Sequence, residues 1–132
     1  MYNMTRAKSK PNPWKKILSN AMGAQNGWNA WHQSKGVNRP VKKFSITPED
    51  IEKIFYEQGQ KSKWLKIPIN PDDVFRKHYP MAPSLDRLDN SKDYTVDNVC
   101  ISTRFENLGF NRCTNEVKAE CIDIINNKLT ND

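Results

Sequence analysis

Residues 83–99 read Pro83-Ser84-Leu85-Asp86-Arg87-Leu88-Asp89-Asn90-Ser91-Lys92-Asp93-Tyr94-Thr95-Val96-Asp97-Asn98-Val99, and this run decides the fold. Ser84 to Leu88 alternates polar and apolar side chains, the period of a half-buried strand. Asn90 to Asp97 is rich in Asn, Asp and Ser, whose side chains bond nearby backbone and favour turns. Val99, Cys100 and Ile101 form a second strand, and Thr103 to about Phe110 a short helix. Strand, loop, strand, helix is an α+β order. It sets Asp86, Arg87 and Asp89 along the first strand, with Asp89 on the same face as Arg87. Asn98 heads the second strand, and Asn107 follows nine residues later on the helix.

Working outward, Thr47-Pro48-Glu49-Asp50 is a helix start. Thr47 can cap, Pro48 suits the first helical position, and the acids suit the positive end of the dipole. Ile51, Ile54 and Phe55 then give an apolar stripe, and Gly59 ends the helix. Lys61 to Ile69 reads as a short strand or loop around Trp64, Leu65 and Ile67. Pro68, Pro71, Pro80 and Pro83 keep residues 68–83 irregular. Downstream, Thr114 caps a final helix with Val117, Cys121, Ile124, Ile125 and Leu129 on one side. Upstream, Trp14 to Lys35 has helical spacing, but Gly23 and Gly27 each cost about 1 kcal/mol against Ala. Two short helices or one broken one are expected. Gly36 to Lys43 is a linker, and residues 1–13, with Pro11 and Pro13, read as a flexible arm.

Charge is distributed unevenly. Residues 1–48 carry Arg6, Lys8, Lys10, Lys15, Lys16, Lys35, Arg39, Lys42 and Lys43 and no acid, whereas residues 49–132 hold the other 12 basic and all 15 acidic residues. A net +6 thus splits into +9 and −3. A one-signed leading segment suits a nucleic acid or another anionic surface. Trp14, Trp28 and Trp31 lie among these cations, where rings can stack on bases. The plainer reading is a solvated basic arm whose tryptophans dock on the core.

At 132 residues the chain is one modest domain plus an arm, or two small lobes. No apolar run approaches the roughly 20 residues of a membrane span, and no apolar signal core opens the chain. A soluble, cytoplasmic protein is expected. Cys100, Cys113 and Cys121 are odd in number and form no CxxC, so neither a disulfide framework nor a zinc ribbon is expected from them.

Ser84 to Asp89 and Ser91 to Asn98 resemble the "SLDRID…SKGYT…DN" signature of phage-type HNH endonucleases. The helix start at Ile46 to Ile51, Gln58-Gly59 and Ile67-Pro68-Ile69 also resemble the segment before the core in phage members, so the likeness covers about residues 44–112. It implies an α+β fold with a ββα-metal core and flanking helices over residues 44–132, preceded by a basic helical arm over 1–43. It implies a metal-ligand carboxylate at Asp86, a loop-holding amide at Asn98 and a helix ligand at Asn107. The implied activity is divalent-metal-dependent hydrolysis of DNA phosphodiester bonds with Mg²⁺ or Mn²⁺, in the host cytoplasm if the protein is phage-encoded. Phosphate contacts are then expected from Lys15, Lys16, Lys35, Arg39, Lys42, Lys43, Lys92, Arg104 and Arg112. A carboxylate and an amide oxygen are the sparse set that Mg²⁺ accepts while keeping waters. The metal stabilises charge on the phosphate and leaving oxygen.

Three departures stand out. The common pattern has His directly after the ligand Asp; here Arg87 stands there, as in many members with this signature. Arg cannot accept a proton but can clamp a phosphate. Asp89, with a raised pKa, then becomes the expected base, with His78 and the remote His32 as alternatives. Secondly, many members brace the core with two CxxC pairs. The equivalent positions are Ser62 and Leu65, then Thr103 and Glu106, which offer no thiolate, so no structural zinc is expected. The helices at 47–58 and 114–129 should brace instead. Thirdly, Asp93 replaces a Gly, which Asp tolerates in a left-handed conformation. A different class of reading is a non-catalytic DNA-binding protein that retains the fold; weaker still is an RNA- or ribosome-associated basic protein.

Overall fold

Asn12 accepts the backbone N–H groups of Trp14 (2.9 Å) and Lys15 (3.2 Å) through its Oδ1, and Pro13 opens a single unbroken helix, α1, Pro13–Ser34. In this computed structural model, which describes residues 11–38, 40–110 and 113–130, the order continues β1 (Phe44–Ser45), α2 (Pro48–Glu57), a 3₁₀ turn (Pro71–Phe75), β2 (Pro83–Arg87), β3 (Tyr94–Thr95), β4 (Val99–Thr103), α3 (Arg104–Gly109) and α4 (Asn115–Thr130). Helix and strand are mixed, as an α+β chain requires. Among the described residues no helix is long and apolar enough to cross a membrane.

The expected break in α1 does not occur. Gly23 and Gly27 lie on exposed helix surface with open space around them, so each costs only its propensity, about 1 kcal/mol. Both ends of the helix offset that. Trp14 and Ile17 are buried at one end, each worth roughly 1.5–3 kcal/mol. At the other, Trp28 and Trp31 stack at 5.4 Å and His32 meets both ring edges.

Trp14 and Ile17 also revise the domain boundary expected at residue 43. They belong to one core with Ile46, Ile51, Phe55, Ile69, Val74, Leu85, Tyr94, Val99 and Ile101. The described part of the segment read as an arm is thus built into the fold; residues 1–10 lie outside the described residues.

Helix α2 forms as its start signal dictates. Thr47 Oγ1 accepts from Asp50 N at 3.2 Å, and Asp50 Oδ2 accepts from Thr47 N at 2.9 Å. Ile51 and Phe55 face the core, and Gly59 turns the chain at φ 75°. Gln58 then acts as a strand surrogate. Its carboxamide accepts from Ile101 N at 2.8 Å and donates to Ile101 O at 2.9 Å, so β4 is satisfied on the side away from β2.

β2 and β4 run antiparallel, with Asp86 opposite Cys100 and Ser84 opposite Ser102. β1 and β3 pair in parallel, Phe44 with Tyr94, their rings stacked 4.0 Å apart. Thr114 caps α4 through Val117 N, as expected. The bracing expected of this helix is not found. Val117 is 41% and Ile124 61% exposed, and among the described side chains of α4 the buried one is Lys118. Part of its apolar stripe is thus exposed, and α1 packs beside α2 through Trp14, Ile17, Ile51 and Phe55.

Candidate functional site

Asn98 is the centre of the loop between β2 and β4. It is buried, and its Oδ1 accepts from Asp89 N at 2.9 Å. Its Nδ2 donates to Asp89 O at 3.0 Å and Asp93 O at 2.9 Å. Its backbone carbonyl accepts from Leu88 N at 2.8 Å. One carboxamide thus satisfies three backbone groups of a turn that no ladder reaches, which is what a buried amide must do to repay its desolvation.

Arg87 ties the same loop from the other side. Its Nη1 donates to Asn90 O at 2.9 Å and Lys92 O at 3.0 Å, and its guanidinium lies 4.7 Å over the Tyr94 ring. Asp93 closes the loop onto the segment before β1, its Oδ1 accepting from Lys43 N at 3.0 Å. Asp93 is not among the positive-φ residues, which are Gln60, Lys66 and His78 besides glycines. It therefore stands, where the resembling signature has Gly, without the left-handed conformation expected of it.

Asp86 lies on the face of β2 that carries Ser84, since residues two apart share a face. Its Oδ2 accepts from Trp64 Nε1 at 3.3 Å and its Oδ1 from Arg87 N at 2.8 Å. Burial pushes its carboxyl above the ordinary 3.8, against the Trp64 hydrogen bond and the positive charges of Lys118 and Arg87. Lys118 is 5% exposed and holds its Nζ 4.1 Å from the Trp64 ring centroid. Cys100, across the ladder, has its thiol pushed up to about 12 by burial and stays neutral. Ser102 Oγ, paired across from Ser84, is buried without a partner among the described residues.

Asn107 projects from α3 to the same face. Its Nδ2 donates to Ser84 Oγ at 2.9 Å, which turns the amide so that Oδ1 remains available. Asp86 and Asn107 therefore share one side of β2, and each retains oxygen lone pairs. Among the described residues no three His, Cys, Asp or Glu side chains gather as a metal group. The set here is one carboxylate and one amide, matching a hard cation that keeps most of its waters. Asp86 is partly desolvated there, with the positive charges of Lys118 and Arg87 acting on it against the effect of burial.

Asp89 does not meet its expected role. β2 ends at Arg87, so Asp89 is a loop residue and shares no strand face with it. It caps a turn, accepting from Ser91 Oγ at 2.6 Å and Ser91 N at 2.9 Å, with Lys92 at 3.9 Å. These bonds hold its carboxyl below the ordinary range, opposite to the raised value a base near neutral pH needs. Neither histidine supplies a hydrogen bond to Asp86, Arg87 or Asn107 among the described residues. His32 is buried on α1 with Nδ1 on Trp28 O at 2.9 Å, and His78 is exposed at φ 58°.

Two partners carry no sequence signal as site residues. Trp64 stands in an irregular segment, and Lys118 lies one position off the apolar stripe of α4. A third, Glu106, stands at one of the four positions where the resemblance would place cysteines. It is 1% exposed. Its Oε2 accepts from Trp64 N (3.1 Å) and Leu65 N (3.0 Å), and its Oε1 from Thr103 N (3.3 Å) and Thr103 Oγ1 (2.9 Å). Ser62, nearby in chain, accepts from Ile67 N at 3.0 Å. A buried carboxylate thus ties the 62–65 loop to the start of α3.

Of the expected phosphate contacts, Lys15, Lys16, Lys35, Lys43 and Lys92 are exposed. Lys42 bonds Ser91 O at 2.8 Å, and Arg104 bonds Arg76 O at 2.7 Å and Val74 O at 2.9 Å. Arg39 and Arg112 lie outside the described residues. No family model, no curated protein and no solved structure matches the chain.

Proposed function

We propose that this chain is an HNH-type endonuclease that hydrolyses DNA phosphodiester bonds with a bound divalent cation, Mg²⁺ or Mn²⁺, and that β2, β4 and α3 form its ββα-metal core. The observation that carries this reading is the Asn98 clamp. The resemblance assigns that residue to holding the loop, and its side chain bonds the backbone of Asp89 and Asp93. Two further observations support it. Asp86 and Asn107 lie on one side of β2, and Glu106 links the positions where related members place zinc-binding cysteines.

When bound, the cation would supply charge stabilisation at the phosphate and leaving oxygen. Asp86 and Asn107 would hold it. Trp64 Nε1 fixes the Asp86 carboxylate, and Ser84 Oγ fixes the Asn107 amide. Lys118 keeps a positive charge beside Asp86. The cations of the first 48 residues would bind the backbone of the strand in a salt-dependent way.

One observation favours the second reading, a DNA-binding protein that keeps the fold without cutting. Arg87 spends its guanidinium on loop carbonyls, and Asp89 is a turn cap whose carboxyl is held low, so the two residues nearest the expected base position both serve to hold the loop. A nicking assay on supercoiled plasmid separates the two. Cleavage in Mg²⁺ or Mn²⁺ that stops in chelator and is lost in Asp86→Ala, with DNA affinity kept within a few-fold, supports the nuclease. Chelator-insensitive binding with no cleavage in either metal supports the binder.

A further inference from the structure

Helix α4 is packed on one side only. Lys118 is buried and Cys121, Ile122 and Ile125 are half-buried, while its other described side chains are exposed. Val117, Cys121, Ile124 and Lys128 follow at steps of four, three and four residues, so they form one stripe along the helix. Beside this stripe lies an apolar groove of about 300 Å³, lined by Cys121, Ile124 and Ile125 of α4 and by Phe105, Gly109 and Phe110 of α3. Glu106 also lines it, but its carboxylate is spent on Thr103, Trp64 and Leu65. Phe105 is 52% and Leu108 82% exposed, and they extend the apolar surface along one side of α3. A helix of 16 residues draws most of its stability from burying an apolar face, and α4 leaves part of that face bare. Glu116, Glu120 and Asp123 form a second row on the flank of the stripe. Among the described residues neither these acids nor Lys128 makes an ion pair. The acids stand in the first part of the helix and Lys128 near its end. Such a row repels DNA phosphates, so this face suits a protein.

We propose that this face binds a second copy of the chain, through an antiparallel pair of α4 helices about a two-fold axis near Cys121 and Ile124. A two-fold interface uses the same patch on both copies, so the patch must complement itself. This one does in shape and in charge. The exposed Val117 and Ile124 of one copy cover the groove of the other, and Phe105 and Leu108 close its edge. Charge selects the direction. In a parallel pair the acid rows of the two helices would face each other. In an antiparallel pair Glu116 and Glu120 of each copy meet the partner's Lys128, and the symmetry makes that contact twice. At 1.5 Å per residue α4 is about 24 Å long. A helix pair of that length is small beside the roughly 1,000 Å² that a specific interface needs. The two exposed α3 side chains are therefore part of the interface, and a micromolar dissociation constant is expected. The pairing uses neither metal nor DNA and does not rest on the nuclease reading.

The test is sedimentation velocity of the full chain over a concentration series, in chelator and without DNA, with circular dichroism to confirm that each variant is folded. The wild type is expected to pass from monomer to dimer in the micromolar range, and its α4 amides to exchange hydrogen more slowly as the dimer forms. Ile124→Glu, at a position 61% exposed in the single copy, should keep the fold and weaken the dimer about a hundredfold, because each copy would bury an unpaired charge. Leu108→Lys, on α3, should weaken it about tenfold and keeps the test open if the Ile124 variant does not fold. Lys128→Glu should weaken it about fivefold, and adding Glu120→Lys to that variant should return it to within about twofold of wild type. A wild type that stays monomeric at several hundred micromolar overturns the proposal. So does a dimer that Ile124→Glu and Leu108→Lys leave intact, which would place the contact elsewhere, or a charge swap that fails to restore pairing. Association that appears only on addition of duplex DNA also overturns it. Plasmid cleavage has no part in these measurements, so a dimer without cutting sinks the nuclease reading alone, and cutting by a monomer sinks this inference alone.

Discussion

Replacing Glu106 tests whether a carboxylate braces this core. Its two oxygens take three backbone N–H groups and one hydroxyl, from Thr103, Trp64 and Leu65, at 2.9 to 3.3 Å. Glu106→Ala leaves those donors without their acceptor. A buried orphaned group costs about 1–3 kcal/mol, and some donors will find water in the space vacated. The expected loss is therefore about 4 kcal/mol, a large share of the roughly 5–15 kcal/mol that holds a domain together. For a chain of this size that corresponds to a fall in Tm of about 15 °C. Glu106→Gln keeps the shape but only one acceptor oxygen, and its amino group meets donors on the other side. It should lose about half as much. Urea and thermal unfolding followed by circular dichroism read both values, with Glu116→Ala, exposed in the first turn of α4, as a control expected within about 0.5 kcal/mol of wild type. A loss below about 1 kcal/mol in Glu106→Ala would refute the brace. So would a Glu106→Gln variant as stable as wild type, because the second oxygen would then carry nothing.

Asp86, raised by burial, makes the folded state bind its proton more tightly than the unfolded chain does. Its destabilising effect is absent below the ordinary 3.8 and complete once pH passes the folded value. Its carboxyl carbon should titrate by NMR above 3.8, and Lys118→Met should move the midpoint higher; a midpoint at or below 3.8 would contradict the burial. Exposed Lys15, Lys16, Lys35 and Lys43 replaced together by Gln should flatten the salt dependence of DNA binding, by up to about 0.9 in log–log slope for each phosphate no longer neutralised. An unchanged slope would remove all four from the interface. Deletion of residues 1–43 is a poor substitute, since it takes Trp14 and Ile17 from the core and should leave the chain unfolded by circular dichroism. On the nuclease reading, Asp89→Asn should cut within about tenfold of wild type, because its carboxyl is held low by Ser91. A loss of about 100-fold would restore it as the base.

Local chemistry made some elements legible. The Thr47 cap, Pro48 and two acids announce α2, and alternation around Leu85 announces β2. Thr103 and Glu106 form a capping box that starts α3, although the same glutamate's reach to Trp64 and Leu65 has no local sign. Long-range packing hid other features. The β1–β3 pair is two residues per strand and joins positions 50 apart in sequence, too short for any period to show. Continuity of α1 depends on rings and core packing at its two ends, which propensity cannot weigh. The stripe on α4 reads as a buried face, yet Lys118 is what docks, through an indole 54 positions earlier. At the candidate site, Asp86, Asn98 and Asn107 were singled out by the resemblance, whereas the company of Asp86, Trp64 and Lys118, had no sign in the sequence.

Arg87 joins these threads. A histidine at its position could accept a proton, but it could not span to Asn90 O and Lys92 O while covering Tyr94. Tyr94 in turn stacks on Phe44 and bonds Gln25 of α1 at 3.3 Å. The guanidinium therefore links the loop between β2 and β4, through Tyr94, to β1 and to α1. Asn98 holds the loop from within, and Arg87 holds it from the outer side. With Arg87 in place the loop gains a second anchor, through two backbone carbonyls and the Tyr94 ring.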